Sequence, residues 1–302
     1  PGATVEVAQR VTDPARRELN MVFTFEHVNL DQRGQVKSDL ADLELPVLKE
    51  NLAQWQYGLA DAGWNSLYMD NHDQPRAVSR FGDDSPEHRV NSAKTLATVL
   101  HLHKGTPYIY QGEEFGMTNS PFTTIEDYQD VESLNYHTLA TAAGVPEVEV
   151  LRSLAAKSRD HARTPVQWDG TAHAGFTSGI PWMPVNPNYG EVNAAAAQGD
   201  ADSVFAHFQA LIRLRHESEV VRQGRFGLLL ADHRQIWAFT RSLGSQVLLV
   251  LANCSSEPVE LPVGLPVLDG ARLILGTHPA STDTQTLAPW ESRILELEAY
   301  AS

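Results

Sequence analysis

The run Trp64 to Asp84, WNSLYMDNHDQPRAVSRFGDD, most constrains what this chain can fold into. Trp64 to Met69 reads as a buried strand, and it stops at a polar cluster, Asp70-Asn71-His72-Asp73-Gln74-Pro75-Arg76. Two other stretches repeat the pattern. Met21 to Val28 (MVFTFEHV) and Thr106 to Gly112 (TPYIYQG) are apolar, aromatic or β-branched, and they run into Glu26-His27 and Glu113-Glu114. Helices are predicted between them. Leu48, Leu52, Trp55 and Leu59 recur at near-helical spacing within residues 39–62, with Pro46 near the start and Gly63 at the end. Arg89 to His103 reads as an amphipathic helix closed by Lys104-Gly105. Strand, helix, strand, helix, strand is the order of an α/β chain with a parallel sheet and crossover helices. In such folds chemistry gathers at the carboxyl ends of the strands, where Asp73 and His72 fall. Asn, Asp and Pro also form ordinary loops, so the cluster alone does not make a site. An open doubly wound sheet and a closed barrel both satisfy this pattern, and neither GxGxxG nor GxxxxGK[ST] is present.

After Glu114 the alternation breaks. Residues 115–197 form a long excursion with helices around Asp130 to Ala143 and Pro146 to Lys157, then a turn-rich stretch of aromatic and charged residues. Long loops of this composition are usually functional. A further helix over Ser203 to Glu217 presents Phe205, Phe208, Leu211, Ile212 and Leu214 on its apolar side. From Arg225 onward the period becomes two, with short strands at Phe226–Leu230, Gln235–Arg241, Gln246–Asn253, Val259–Leu261, Leu273–Leu275 and Ser292–Leu297. Such a series predicts a small antiparallel sandwich.

Composition removes several function classes. The 302 residues suffice for one large domain and a small one. A formal charge of -15 argues against nucleic acid, whose phosphates require a basic face. No apolar run reaches the roughly 18 residues of a membrane span, and no signal peptide is visible. The single cysteine, Cys254, lies in an apolar run as core filler; it cannot form an internal disulfide, which fits the cytoplasm. The histidines lack metal-ligand spacing, and His161 and His173 are no exception.

Three features converge. One strand ends on His72-Asp73, the next on Gln111-Gly112-Glu113-Glu114, and a long loop carries Ser158-Arg159-Asp160-His161-Ala162-Arg163-Thr164-Pro165. Together NHDQPR, SRFG, KGTPYIYQGEEFGMTN and RDHARTPVQWD resemble glycoside hydrolase family 13, and above all its α-glucosidase and oligo-1,6-glucosidase branch. The likeness runs nearly end to end and takes in MVFTFEHVNLD, HAGF and PWMPVNPNY. It implies that residues 1–224 are the C-terminal part of a catalytic (β/α)8 TIM barrel, covering strands 6 to 8 and the long loop after strand 8. Residues 225–302 would be an antiparallel β-sandwich domain.

The resemblance also implies roles. Asp73 matches the third catalytic carboxylate, which holds sugar hydroxyls and stabilises the oxocarbenium-like state. His72 matches a histidine on the same glucosyl unit, and Arg159 an arginine on the non-reducing sugar. Glu132, in DVESLN, matches a carboxylate near the next sugar, although a solvated helix face explains it equally well. Hydrolysis with retention needs a nucleophilic carboxylate and an acid carboxyl roughly 5 Å apart. The family places these at the ends of the fourth and fifth strands. Pro1-Gly2-Ala3-Thr4-Val5-Glu6 resembles the residues that follow the acid. Both groups are therefore expected outside these 302 residues, as are the first barrel strands and any structural calcium. The chain's expected partners are that part of the barrel and an oligosaccharide, with no membrane, no nucleic acid and no cofactor of its own.

The implied activity is a retaining, exo-acting α-glucosidase on short isomalto- or malto-oligosaccharides. The alternatives are a sucrose isomerase or glucosyl-transferring relative, and a non-catalytic protein like the heavy chains of amino-acid transporters. For the remaining polar residues the reading is structural. Glu26-His27 support the strand end, Glu113-Glu114 pair with loop arginines such as Arg163, and Asp160 and Trp168 are scaffolding. Phe81 and Tyr128 are core before they are sugar platforms.

Overall fold

The computed structural model describes residues 2–34, 36–266, 268–279 and 284–297. Its first layer is a short parallel ladder. Val22 bridges Asn65, and β1 (Ser66–Leu67) pairs with β2 (Thr106–Pro107) in the register Ser66↔Thr106 and Leu67↔Pro107. The crossovers are helical, as the spacing predicts. After α1 (Val5–Thr12), α2 (Leu45–Gly58) lies between Val22 and β1 with Pro46 in its first turn, and it buries Leu48, Leu52 and Trp55. Between β1 and β2 come α3 (Ala77–Phe81) and α4 (Arg89–His101).

All three strands are shorter than the sequence predicts. The Met21–Val28 strand reduces to one bridge, and residues 27–29 turn into a 3-10 helix. β2 is cut short because Pro107 has no N–H to donate and because the chain turns through Gly112 at φ 91°. The ladder bonds that form are sound: Ser66 N–H to Val22 O at 2.9 Å, Thr106 N–H to Asn65 O at 2.9 Å and Tyr108 N–H to Leu67 O at 2.8 Å.

The excursion folds into a helical hairpin, α5 (Val131–Ala142) and α6 (Glu147–Lys157), followed by one turn, α7 (Asp160–Arg163). The hairpin packs around its own small core of Phe122, Tyr128, Val150, Leu154 and Met183. Tyr128 is therefore core, and so is Phe81, which lies in the main core. A turn-rich stretch leads through α8 (Ala194–Gly199) to α9 (Val204–Glu217) and α10 (Glu219–Gln223).

The C-terminal part is a five-stranded antiparallel sheet in the order β3-β4-β5-β9-β7. Its strands are β3 (Arg225–Leu229), β4 (Ile236–Leu243), β5 (Gln246–Asn253), β7 (Arg272–Gly276) and β9 (Ser292–Leu297). β6 (Val259–Glu260) and β8 (Thr286–Leu287) pair as a second, two-stranded sheet. Alternation along the strands sorts side chains to two faces. Trp237, Phe239, Leu248, Val250 and Ile294 join the main core with Leu96 and Leu100 of α4. Ile236, Ala238, Leu249, Leu251 and Leu295 pack with Leu287 on the other side.

α4 therefore lies between α9 and the large sheet. It is buried on every side from Ser92 to His101, where its sequence predicts an amphipathic helix. Its polar groups find partners inside: Thr95 donates to Trp290 O at 2.6 Å, and Thr98 Oγ1 meets His207 Nε2 at 2.8 Å. Cys254 is partly buried against this core, and burial pushes its thiol up to about 12, which suits filler and not a nucleophile.

Candidate active site

Past β1 the chain enters a tight turn in which Asn71 Oδ1 accepts the Asp73 N–H at 2.7 Å. That turn aims the Asp73 carboxylate at α7. Arg159 caps α7 and Arg163 ends it, so the i, i+4 spacing puts both guanidiniums on one side. Arg163 Nη2 donates to Asp73 Oδ1 at 2.9 Å, and Arg159 Nη1 approaches the same oxygen at 3.4 Å. His72 Nε2 lies 3.2 Å from Asp73 Oδ2. Asp73 stays 44% exposed, leaving lone pairs free for a ligand's hydroxyls.

A second acid completes the cluster. Asp130 caps α5, accepting the Glu132 N–H at 2.7 Å, and its side chain is almost fully buried. Arg159 Nη2 donates to it at 2.6 Å, and Arg163 Nη1 donates to its other oxygen. Burial opposes the charge on Asp130, but the Arg159 hydrogen bond, the Glu132 N–H and both guanidiniums hold its carboxyl below the usual range. Glu132 sits at the rim, half exposed, 3.7 Å from Arg159 Nε. Lys37 reaches in from the preceding loop to Glu132 Oε1 at 3.1 Å and to Asp73 O at 3.2 Å.

The support beneath is rigid. Asp160 accepts the Gln129 and Asp130 N–H groups at 3.1 and 2.9 Å and the hydroxyls of Ser133 and Ser158 at 3.1 and 3.0 Å. This is the scaffolding part its sequence context predicts. His161 is buried and stacks on Phe122, and burial lowers its pKa to about 4. His27 is buried under the strand ends, with Nε2 3.0 Å from Tyr68 O. Asp70, directly after the strand, is raised to about 6 by burial, against the attraction of Arg76 and the Ala77 N–H. Glu113 is also raised, by burial first and then by Asp70.

The structure thus gathers His72, Asp73 and Arg159 and brings Glu132 to their edge. It differs on Arg163, which pairs with Asp73 and Asp130 and not with Glu113 or Glu114. Asp130 and Lys37 are additions that the sequence reading did not single out. Asp130 had a signal, an acid at a helix N-cap ahead of VESL; Lys37, in an aperiodic loop, had none. Beside the cluster lies an open pocket of about 430 Å³ lined by Phe23, Phe25, Tyr68, Tyr108, His72 and Asp73 among others. No group of three or more His, Cys, Asp or Glu suited to a metal ion occurs among the described residues. None of their helices is long and apolar enough to cross a membrane.

Polar side chains gathered past the carboxyl ends of parallel strands, with crossover helices behind them, are the layout of the β/α-barrel enzymes. The family profile described as "Alpha amylase, catalytic domain" matches residues 1–224, and "Domain of unknown function (DUF3459)" matches residues 227–294. The chain belongs to the alpha-amylase family of glycoside hydrolases. It is 51% identical over 300 residues to an oligo-1,6-glucosidase of Halalkalibacterium halodurans, covering 97% of this chain and 53% of that protein. The trehalose-6-phosphate hydrolase of Bacillus licheniformis superimposes with a TM-score of 0.93 at 43% identity, covering 99% of this chain and 55% of that one. Isomaltulose synthase from Klebsiella sp. LX3 gives 0.91 at 34% identity, over 98% and 54%. The chain spans about half the length of these relatives.

Proposed function

We propose that this chain is the part of a retaining, exo-acting α-glucosidase that holds the glucosyl unit, acting on short isomalto- or malto-oligosaccharides. The observation that carries this reading is the Asp73 carboxylate, fixed by Arg163 and Arg159 at a strand end and still half open to a pocket. Such an acid accepts two sugar hydroxyls and gains strength as positive charge develops at the anomeric carbon. His72 donates to the same unit, Arg159 orients it, and Glu132 with Lys37 faces the next sugar. The nucleophile attacks the anomeric carbon while the acid protonates the departing glycosidic oxygen. Water then displaces the carboxylate from the glucosyl-enzyme.

The nucleophile and the acid come, in this reading, from barrel strands outside these 302 residues. Two observations support that: the relatives are about twice as long, and the segments around the parallel ladder leave Phe23, Phe25, Tyr108 and Ile109 exposed. Residues 1–224 then belong to the barrel and 225–302 to the sandwich domain. The single, partly buried cysteine is compatible with a cytoplasmic enzyme.

Lys37, Arg159 and Arg163 are each already ion-paired with an acid, which favours a neutral glucoside over a phosphorylated one. A sucrose isomerase is the second reading, favoured by the likeness to isomaltulose synthase. Product analysis on the complete enzyme separates the two. Glucose released from the non-reducing end of isomaltose or maltotriose is expected. Rearrangement of sucrose to isomeric disaccharides with little hydrolysis of isomaltose would support the second reading and sink the first.

A further inference from the structure

Arg76 does not line the pocket, yet it ties together the segments that build it. Its side chain is completely buried. Nη1 donates to Gln111 O at 2.6 Å, in the turn after β2. Nε and Nη2 donate to His161 O and Ala162 O at 3.1 and 3.3 Å, both inside α7. Its own N–H donates to Asn119 Oδ1 at 2.9 Å, and its guanidinium lies 5.5 Å from the Tyr110 ring centre. Asp70 attracts the guanidinium, and with Glu113 it lines a cavity of about 10 Å³. The two α7 carbonyls sit directly between Arg159 and Arg163 in sequence. Arg76 in turn follows Asp73 by three residues. One buried side chain therefore spans the distance across which the two arginines reach Asp73.

We propose that Arg76 is a positioning residue. By donating to carbonyls on α7 and on the turn after β2, it fixes how far the Arg159–Arg163 pair stands from Asp73. The inference rests on the glucoside-holding reading of Asp73. A planar fork donates from three separate nitrogens and so serves α7 and the turn together; an ammonium offers all its donors from one nitrogen. A side chain that only stabilised the fold would lower the melting temperature and leave the properties of the folded enzyme unchanged.

The test uses the complete enzyme and a thermodynamic cycle. Arg76→Lys, Asp73→Asn and the double variant are compared by kcat and KM on a nitrophenyl α-glucoside. Glucose binding is measured by calorimetry, well below each melting temperature. Arg76→Lys is expected to lower kcat about tenfold and to weaken glucose about tenfold when Asp73 is present, but less than about twofold when Asp73→Asn is present, because coupled residues are not additive. Equal weakening in both backgrounds, or an unchanged kcat, overturns the positioning role. If Arg76→Lys does not fold, Arg76→Gln, uncharged and able to reach one carbonyl, carries the same comparison. Normal turnover in Asp73→Asn alone would instead remove the reading on which the inference stands.

Discussion

Asp130 and Asp73 share the same two guanidiniums but not the same surroundings. Asp130 is nearly sealed and receives three donors, while Asp73 is open on one side. Asp130 thus anchors the two arginines, and Asp73 is the accessible acid of the pair. Asp130→Asn should weaken both charge-assisted bonds and the α5 cap together. We expect a stability loss of roughly 2 kcal/mol and a KM about tenfold higher, since such hydrogen bonds contribute about 1.5–3 kcal/mol each. Denaturant melts and steady-state kinetics check this, and wild-type values in both would contradict it. The sequence singles out Asp73, His72 and Arg159 because they stand in short motifs next to strand and helix ends, and the structure brings them together. The link between them was not legible in sequence, because Asp73 and Arg163 are 90 positions apart and no local rule sets a distance through space. The RDHAR spacing carries the information that Arg159 and Arg163 share a face, because i and i+4 are neighbours on a helix.

At the scale of elements, helices were legible and strands only partly so. The periodicity and Pro46 locate α2, α4, α5, α6 and α9 to within a few residues. A helix closes its hydrogen bonds within its own segment, so its sequence contains what decides it. A strand's length depends on its neighbours. Apolar runs at Met21–Val28 and Trp64–Met69 predicted strands, but the ladder holds only where two segments run side by side. The antiparallel strands after Arg225 matched better because tight connections bring their partners close in sequence, as β4 and β5 show. Thr286–Leu287, two residues of β8, was too short to leave a period. Gly112 shows an element end set by one residue: its φ of 91° suits glycine, and an added Cβ would lie 2.4 Å from Met117 Sδ and 3.2 Å from Arg76 Nη1. The turn that aims Gln111 O at Arg76 therefore depends on the glycine beside it.

Across the whole molecule, the barrel part and the large sheet share one core, running from Leu48 of α2 through α4 to Trp237 and Ile294. Buried cations stitch the junction. Arg241 donates to Leu102 O and Gly224 O at 2.7 and 2.5 Å, and Lys49 donates to the carbonyls of Leu230, His233 and Ile236. Buried rings add a pH dependence. Burial lowers His101 and His103 to about 3, and His27, His161 and His207 to about 4. An unfolded chain would protonate the same rings near pH 6.5. Their contribution is therefore complete above about pH 6.5 and is lost as pH falls toward the folded values, by up to about 1.4 kcal/mol per ring per pH unit. Asp70 and Glu113, both raised, act in the opposite sense, but they are two groups against five rings. The denaturation midpoint should drop steeply between pH 6.5 and about 4.5. A midpoint flat across that range would contradict the burial of these histidines.

Asp73 is proposed to hold and stabilise the glucosyl unit. Asp73→Asn in the complete enzyme tests this most directly, because it keeps the size and hydrogen-bonding reach of the side chain while removing its charge. With a melting temperature near that of the unaltered enzyme, kcat on a nitrophenyl α-glucoside is expected to fall by at least about 10³-fold, the scale seen when preorganised electrostatic stabilisation is removed. Turnover within a few-fold of the unaltered enzyme would contradict the claim and take Asp73 out of the active site.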